Sequence, residues 1–99
     1  MRELALVVAL VGCGSSGPST DAQRGQEVYM STCIACHNAD PALPGALGPP
    51  VKGASRELLE ARILRADYPA GYKPKRDTRQ MVAFPQLAPH IDALAAYLK

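Results

Sequence analysis

Apolar positions recur at helical spacing in three stretches of this 99-residue chain. In the first, Gly25, Val28, Tyr29 and Thr32 share one face of a helix expected from about Asp21 to Cys33. Thr20 or Asp21 stands where a side-chain oxygen can accept from the orphan amides of its first turn. In the second, Leu58, Leu59, Ala61, Arg62, Ile63 and Leu64 form a stripe, with charges at Arg56, Glu57, Glu60 and Arg65. Ser55 is placed to cap that helix, which should end near Asp67 because Pro69 and Gly71 follow. In the third, Ile91, Leu94, Ala95 and Leu98 make one face of a helix from about Pro89 to Lys99, and proline is tolerated in a first turn. Nothing alternates over enough residues to read as a strand, and no repeat is visible. The pattern therefore predicts an all-α domain of about three main helices.

The spaces between these helices are long. Residues 38–53 and 68–88 carry most of the prolines and glycines, and loops of this length in a small domain are usually functional. Ahead of the first helix lies a different kind of segment. Arg2 is followed by an apolar run from Leu4 to Val11, then Gly12 and Cys13. The run is too short to span a bilayer and fits the apolar part of an export signal. Leu10-Val11-Gly12-Cys13 resembles the lipobox of bacterial lipoproteins. That resemblance implies cleavage before Cys13, lipid on its sulfur and amino group, and a place on the periplasmic side of a bacterial membrane. Several acyl chains on one residue anchor stably. Without them the chain reads as a soluble periplasmic protein with Cys13 as a spare thiol. Residues 14–20 are Gly/Ser-rich and would act as a coil reaching about 15 Å. The expected organisation is a signal over 1–12, a lipidated cysteine and tether over 13–20, and a working domain over 21–99.

Charge narrows the function. Eleven basic against nine acidic residues give +2, which lacks the strong basic stripe of a nucleic-acid binder. The basic residues Lys73, Lys75, Arg76 and Arg79 cluster locally. Such a run can neutralise an acidic group, steer the protein to an acidic partner, or simply be a solvated loop. With one Phe and no Trp, a domain this small needs a staple such as a disulfide, metal or cofactor. Once Cys13 is set aside, Cys33 and Cys36 are the cysteines that remain.

They stand in CIACH. Residues at i, i+3 and i+4 share a helix face, so Cys33, Cys36 and His37 can act together. Two thioethers at that spacing can hold one edge of a haem while the imidazole points at its iron, which is the Cys-x-x-Cys-His attachment signature. The rival readings need more than the chain offers. A structural zinc needs four ligands, and His90 is the only further His. A thioredoxin-like dithiol belongs beside a βαβ pattern. A disulfide closing so short a loop would constrain the unfolded chain little.

The sequence resembles the small mono-haem class I c-type cytochromes over almost the whole of residues 21–99. CIACH carries the resemblance most specifically. LGPPVKG (47–53) looks like that family's Gly-Pro segment, and DALAAYLK (92–99) like its C-terminal helix. The resemblance implies a small cytochrome c fold with long loops wrapped around one haem c. Its N- and C-terminal helices would cross, with Gly25 and Tyr29 meeting Leu94 and Tyr97. It implies covalent haem at Cys33 and Cys36, His37 as an axial iron ligand, and the Pro49 carbonyl accepting from His37 Nδ1.

For the second axial ligand the resemblance points to Met81, in the loop before the third helix. Here the chain departs from the family, which often has Pro after that Met; this chain has Val82. Met81 as a core gap-filler is the plain alternative. His90 is the runner-up ligand, and Lys73 or Lys75 could bind in an altered state. Val28, Tyr29, Leu58, Leu59, Ile63, Val82, Phe84, Leu94 and Leu98 would form the apolar cage. The expected function is electron transfer by a monomeric carrier that is not an enzyme, with redox proteins as partners and a lipid anchor at the membrane. The alternatives are an open-site haem protein acting as gas sensor or peroxidase, for which Tyr72 and Gln80 are the polar candidates, and a fixed cytochrome subunit of a respiratory complex.

Overall fold

The first helix, α1 (Asp21–Thr32), starts where a polar side chain closes its open end. Thr20 Oγ1 accepts from the Gln23 amide at 3.2 Å and Gln23 Oε1 accepts from the Thr20 amide at 2.8 Å. This reciprocal pair satisfies two orphan donors at once. The computed structural model describes residues 20–76 and 79–99. Cys13, the predicted signal and most of the predicted tether lie outside the described residues.

Helix α2 (Arg56–Leu59) is capped by Ser55, whose Oγ accepts from the Leu58 amide at 3.1 Å. It then departs from the expected α-helix. Residues Glu60–Leu64 form a π-helical turn, and the chain leaves the helix through Ala66 at φ 51, a left-handed conformation that side chains with a Cβ rarely adopt. The expected helix to Asp67 therefore ends early. The Asp67 amide folds back to donate to Ala61 O at 2.9 Å. A periodicity argument assumes 3.6 residues per turn and has no means of registering the extra residue of a π turn.

The third helix is also preceded by something the pattern missed. Pro85–His90 is a 3₁₀ helix with proline at its first turn, and α3 (Ile91–Leu98) continues from it. No strand occurs among the described residues.

Helices α1 and α3 make the most extensive contact between elements. Its closest point is Gly25, which is buried: a Cβ there would collide with the Ala93 carbonyl and lie 2.8 Å from Tyr97 Cβ. The Tyr29 and Tyr97 rings meet nearby, 5.6 Å apart at 49°. The expected crossing partner Leu94 is buried at 1 % exposure, while the backbone neighbour at Gly25 is Ala93. Around this crossing Tyr29, Leu59, Ile63, Leu87, Ile91, Leu94 and Leu98 form the core. Two backbone hydrogen bonds of 2.5 Å tie the loops to it, Gly53 N–H to Leu98 O and Phe84 N–H to Ile63 O.

Candidate functional site

The helical path of α1 does not stop at Thr32. The Cys33 amide donates to Tyr29 O at 2.9 Å, the His37 amide to Cys33 O at 2.9 Å and the Cys36 amide to Cys33 O at 3.3 Å. Cys33, Cys36 and His37 thus sit on one further turn. The loop that follows closes on this turn from outside. The Cys36 carbonyl accepts from Leu47 N–H at 3.1 Å and from Gly48 N–H at 2.9 Å. Tyr29 OH donates to Asn38 O, and burial, with smaller contributions from neighbouring groups, pushes its phenol up to about 12.

His37 is held from two sides. Its Nδ1 lies 3.0 Å from Pro49 O. A carbonyl can only accept, so the proton is on Nδ1 and the Nε2 lone pair is the one available to a metal. Gly48 packs flat on the ring: a Cβ there would lie 2.9 Å from Nε2 and closer still to Cε1 and Nδ1. Only a residue without a side chain fits between the loop and this imidazole.

His37 faces a cavity of about 400 Å³, within the range of about 300–1,000 Å³ for ligand and cofactor clefts. Cys33, Cys36, Pro49 and Met81 also line it. Much of the rest of the wall is apolar, including Tyr29, Leu58, Leu59, Ile63, Val82 and Phe84. Leu94 and Leu98 complete the expected cage. Val28 instead packs against the core beside the cavity, and Val82 is 63 % exposed, so it belongs to the rim.

The other methionine of the described residues, Met30, is 40 % exposed. His90 is exposed at the end of the 3₁₀ helix. Neither shares the cavity with His37. Two residues of the basic run are tied to the Gly-Pro loop: Lys75 Nζ donates to Pro50 O at 2.9 Å and Arg76 Nη2 to Gly45 O at 3.3 Å. Both side chains line the cavity with Tyr72 and Gln80.

Cys33 and Cys36 are free thiols. Burial, with a smaller contribution from Cys36, pushes the Cys33 thiol up to about 11. A reactive redox dithiol needs the opposite shift. Among the described residues no group of three or more His, Cys, Asp or Glu is placed to hold a metal ion, so the zinc reading finds no cage. The arrangement suits a flat apolar cofactor carrying a metal: an imidazole fixed in the right tautomer, two thiols on its own turn, a thioether in the same cavity and an apolar wall.

Sequence reasoning missed Arg62 and Tyr68 in this wall. Arg62 was read as part of an apolar stripe, and its guanidinium stacks 4.1 Å over the Tyr68 ring. Tyr68 in turn stacks on Tyr72 at 5.5 Å and 10°. The Tyr-x₃-Tyr spacing was the available signal.

These features define a c-type cytochrome domain. The family model described as cytochrome c oxidase, cbb3-type, subunit III matches residues 20–98, and the chain belongs to that family. Its cofactor is haem c. No curated protein and no solved structure matches the chain.

Proposed function

We propose that this domain is an electron carrier that attaches one haem c through Cys33 and Cys36 and binds its iron between His37 and Met81. The haem supplies the Fe(III)/Fe(II) couple; positioning, shielding and tuning fall to the chain. The observation that supports this reading best is that His37 and Met81 line the same cavity, with His37 Nδ1 already committed to Pro49 O. That bond fixes the ring and makes Nε2 a stronger donor. Met81 offers a neutral thioether, which favours Fe(II) relative to a second imidazole and raises the potential. The apolar wall penalises the extra charge of the ferric state in the same direction. Cys36 is exposed, so the edge it would hold is the short route for electrons to a redox partner.

The carrier is proposed to act as a monomer exported to the periplasmic side of a bacterial membrane, tethered through lipid on Cys13. Among the described residues no helix is long and apolar enough to cross a membrane, and a lipid anchor needs none. A second reading has its own support. The family's description as a subunit of a cbb3-type oxidase favours a fixed cytochrome subunit of a respiratory complex, with the same haem chemistry and a permanent partner.

Optical spectra of the purified protein in both oxidation states test the carrier reading. A thioether ligand gives the ferric form a weak far-red charge-transfer band, and the ferrous form resists carbon monoxide. Met81→Ala should abolish the band and admit carbon monoxide with the covalent attachment intact; His90→Ala should change neither. Native ferrous protein that binds carbon monoxide readily would overturn the carrier in favour of an open-site sensor or peroxidase. Co-purification with an oxidase at fixed stoichiometry would favour the second reading.

A further inference from the structure

The segment that carries Met81 runs between two backbone anchors. At one end the Tyr72 amide donates to Pro69 O at 3.1 Å; at the other the Phe84 amide donates to Ile63 O at 2.5 Å. Among the described residues between them, 73–76 and 79–83, none is helical. Their hydrogen bonds arise from two neighbouring side chains alone, Lys75 Nζ to Pro50 O at 2.9 Å and Arg76 Nη2 to Gly45 O at 3.3 Å. Met81 adds apolar packing against the core. With no helical ladder to order the segment, these few ties decide how often it lies in place.

The two acceptors stand at telling positions. Gly45 and Pro50 bracket Gly48 and Pro49, the pair that holds the His37 ring. Gly48 lies flat against the imidazole, and Pro49 O sits 3.0 Å from its Nδ1. The Gly45 amide also donates to Gly48 O at 2.9 Å, so this loop is closed on itself between the two grips. One short stretch of the Met81 segment therefore holds the His37 loop on both sides of its contact with the ring. Lysine and arginine suit the task, because a long apolar stem lets each reach a carbonyl without bringing the backbones together. Pro74, just ahead, fixes its own backbone angle and lowers the entropy lost when the stretch is ordered.

We propose that Lys75 and Arg76 are positioning residues, a clamp that fastens the Met81 segment to the loop holding His37 and so keeps Met81 in the cavity the two share. The consequence for the iron rests on the carrier reading above: with the clamp made, the Met81 thioether stays in place as a ligand; with it broken, the segment leaves more often and outside ligands compete. The Lys75 bond is exposed and the Arg76 bond half-buried, so the loss of either should shift the closed-to-open equilibrium by about 2- to 10-fold, the size of one net hydrogen bond.

The test compares the holo-protein with Lys75→Leu and Arg76→Leu, which remove the donors, and with Lys75→Arg and Arg76→Lys, which keep them. Two readouts are taken on the same samples at high ionic strength, where the effect of exposed charge is screened. The first is the affinity of the ferric protein for imidazole, which must displace Met81. The second is the initial rate of tryptic cleavage after Arg79, followed by mass spectrometry, which reports the open segment whether or not Met81 binds iron. Both Leu variants should bind imidazole more tightly and be cut faster, each by about 2- to 10-fold, while the conservative variants stay near wild type. Unchanged cleavage in the Leu variants overturns the clamp. So does faster cleavage without tighter imidazole binding in a protein that shows the far-red band, because the segment would then be held without positioning Met81. Conservative variants that behave like the Leu variants overturn the hydrogen-bond assignment. A wild-type protein without the far-red band refutes Met81 ligation instead, and the clamp is then judged by the cleavage rates alone.

Discussion

Gly25→Ala adds one methyl group at the crossing of α1 and α3, and the geometry allows its cost to be worked out. The new Cβ would meet Ala93 O and lie 2.6 Å from Ala93 C and 2.8 Å from Tyr97 Cβ. Carbon atoms in contact settle at about 3.5–4.0 Å, so the gap must open by roughly 1 Å. Two of the three neighbouring atoms are backbone, and no rotamer change relieves them; α3 itself has to move. A gap of about 0.5–1 Å forfeits a quarter to a half of each dispersion contact it opens. The contacts at risk are those of Tyr29, Leu94 and Leu98, all at most 2 % exposed.

Overpacking costs typically 1–3 kcal/mol, and a backbone clash belongs at the upper end, about 3 kcal/mol. Replacing Gly by Ala inside a helix returns about 1 kcal/mol. The net expectation is a loss of about 2 kcal/mol. For a domain of this size that lowers Tm by roughly 8–16 °C, at about 4–8 °C per kcal/mol. The assay is a far-UV circular dichroism melt of the holo-protein, with haem content checked by absorbance. Gln26→Ala, exposed on the same helix, is the control and should stay within about 0.5 kcal/mol of wild type. An unchanged or raised Tm for Gly25→Ala would refute the close crossing, because the propensity gain would then be the only term acting.

The remaining predictions concern the site and its approach. Gly48→Ala should displace the His37 ring, since the added Cβ falls against three of its atoms; the visible spectrum of the holo-protein should lose its native axial ligation, and an unaltered spectrum would show that the loop yields instead. Ala66→Gly removes the left-handed penalty of about 1–2 kcal/mol and adds unfolded-state entropy of about 0.4–1 kcal/mol, so denaturant titration should find the variant more stable by roughly 0.5–1 kcal/mol. Replacing Cys33 and Cys36 together by Ala should leave a chain whose haem extracts into acidic acetone and whose thermal transition is no longer cooperative; retention of the wild-type melt would separate the fold from the attachment.

The three helices were legible because their buried residues follow the 3.6-residue period, and the starts of the first two because Thr20 and Ser55 are side chains that cap. Cys33, Cys36 and His37 were legible because i, i+3, i+4 spacing acts within one turn and needs no long-range information. The closeness of Pro49 to His37 came from a resemblance; the sequence by itself offered a Gly-Pro turn, and the two stand twelve positions apart in the chain. What could not be read was irregular backbone. The π turn and Ala66 break the period that pattern reading relies on, and with it went Arg62, which an ideal helix would turn elsewhere. The 3₁₀ helix Pro85–His90 was hidden for a related reason: two prolines and a histidine carry no amphipathic stripe, and tertiary packing of Leu87 decides their conformation. Val28 was misplaced within the cage because it shares α1's apolar face with Tyr29, yet a helix face is wide enough to serve both the core and the cavity.

Core and cavity share residues, so a haem held there would be part of the fold. Six of the seven core residues, all but Ile91, also line the 400 Å³ cavity. Their inner faces form one wall of a core whose other wall the haem would provide. A freely dissociating ligand in that position would stabilise the fold only by RT ln(1 + [L]/Kd), vanishing as free ligand is depleted. The proposed attachment through Cys33 and Cys36 would replace that bulk concentration by an intramolecular one, on the order of millimolar or above for a short tether. The missing wall then cannot be diluted away. A chain with one Phe and no Trp could therefore keep a small core, because two thioethers would make the largest apolar group in it permanent. The same bonds would fix the iron against His37 through every redox cycle, so a stable fold and a constant ligand geometry would arise from a single covalent device on the turn that follows α1.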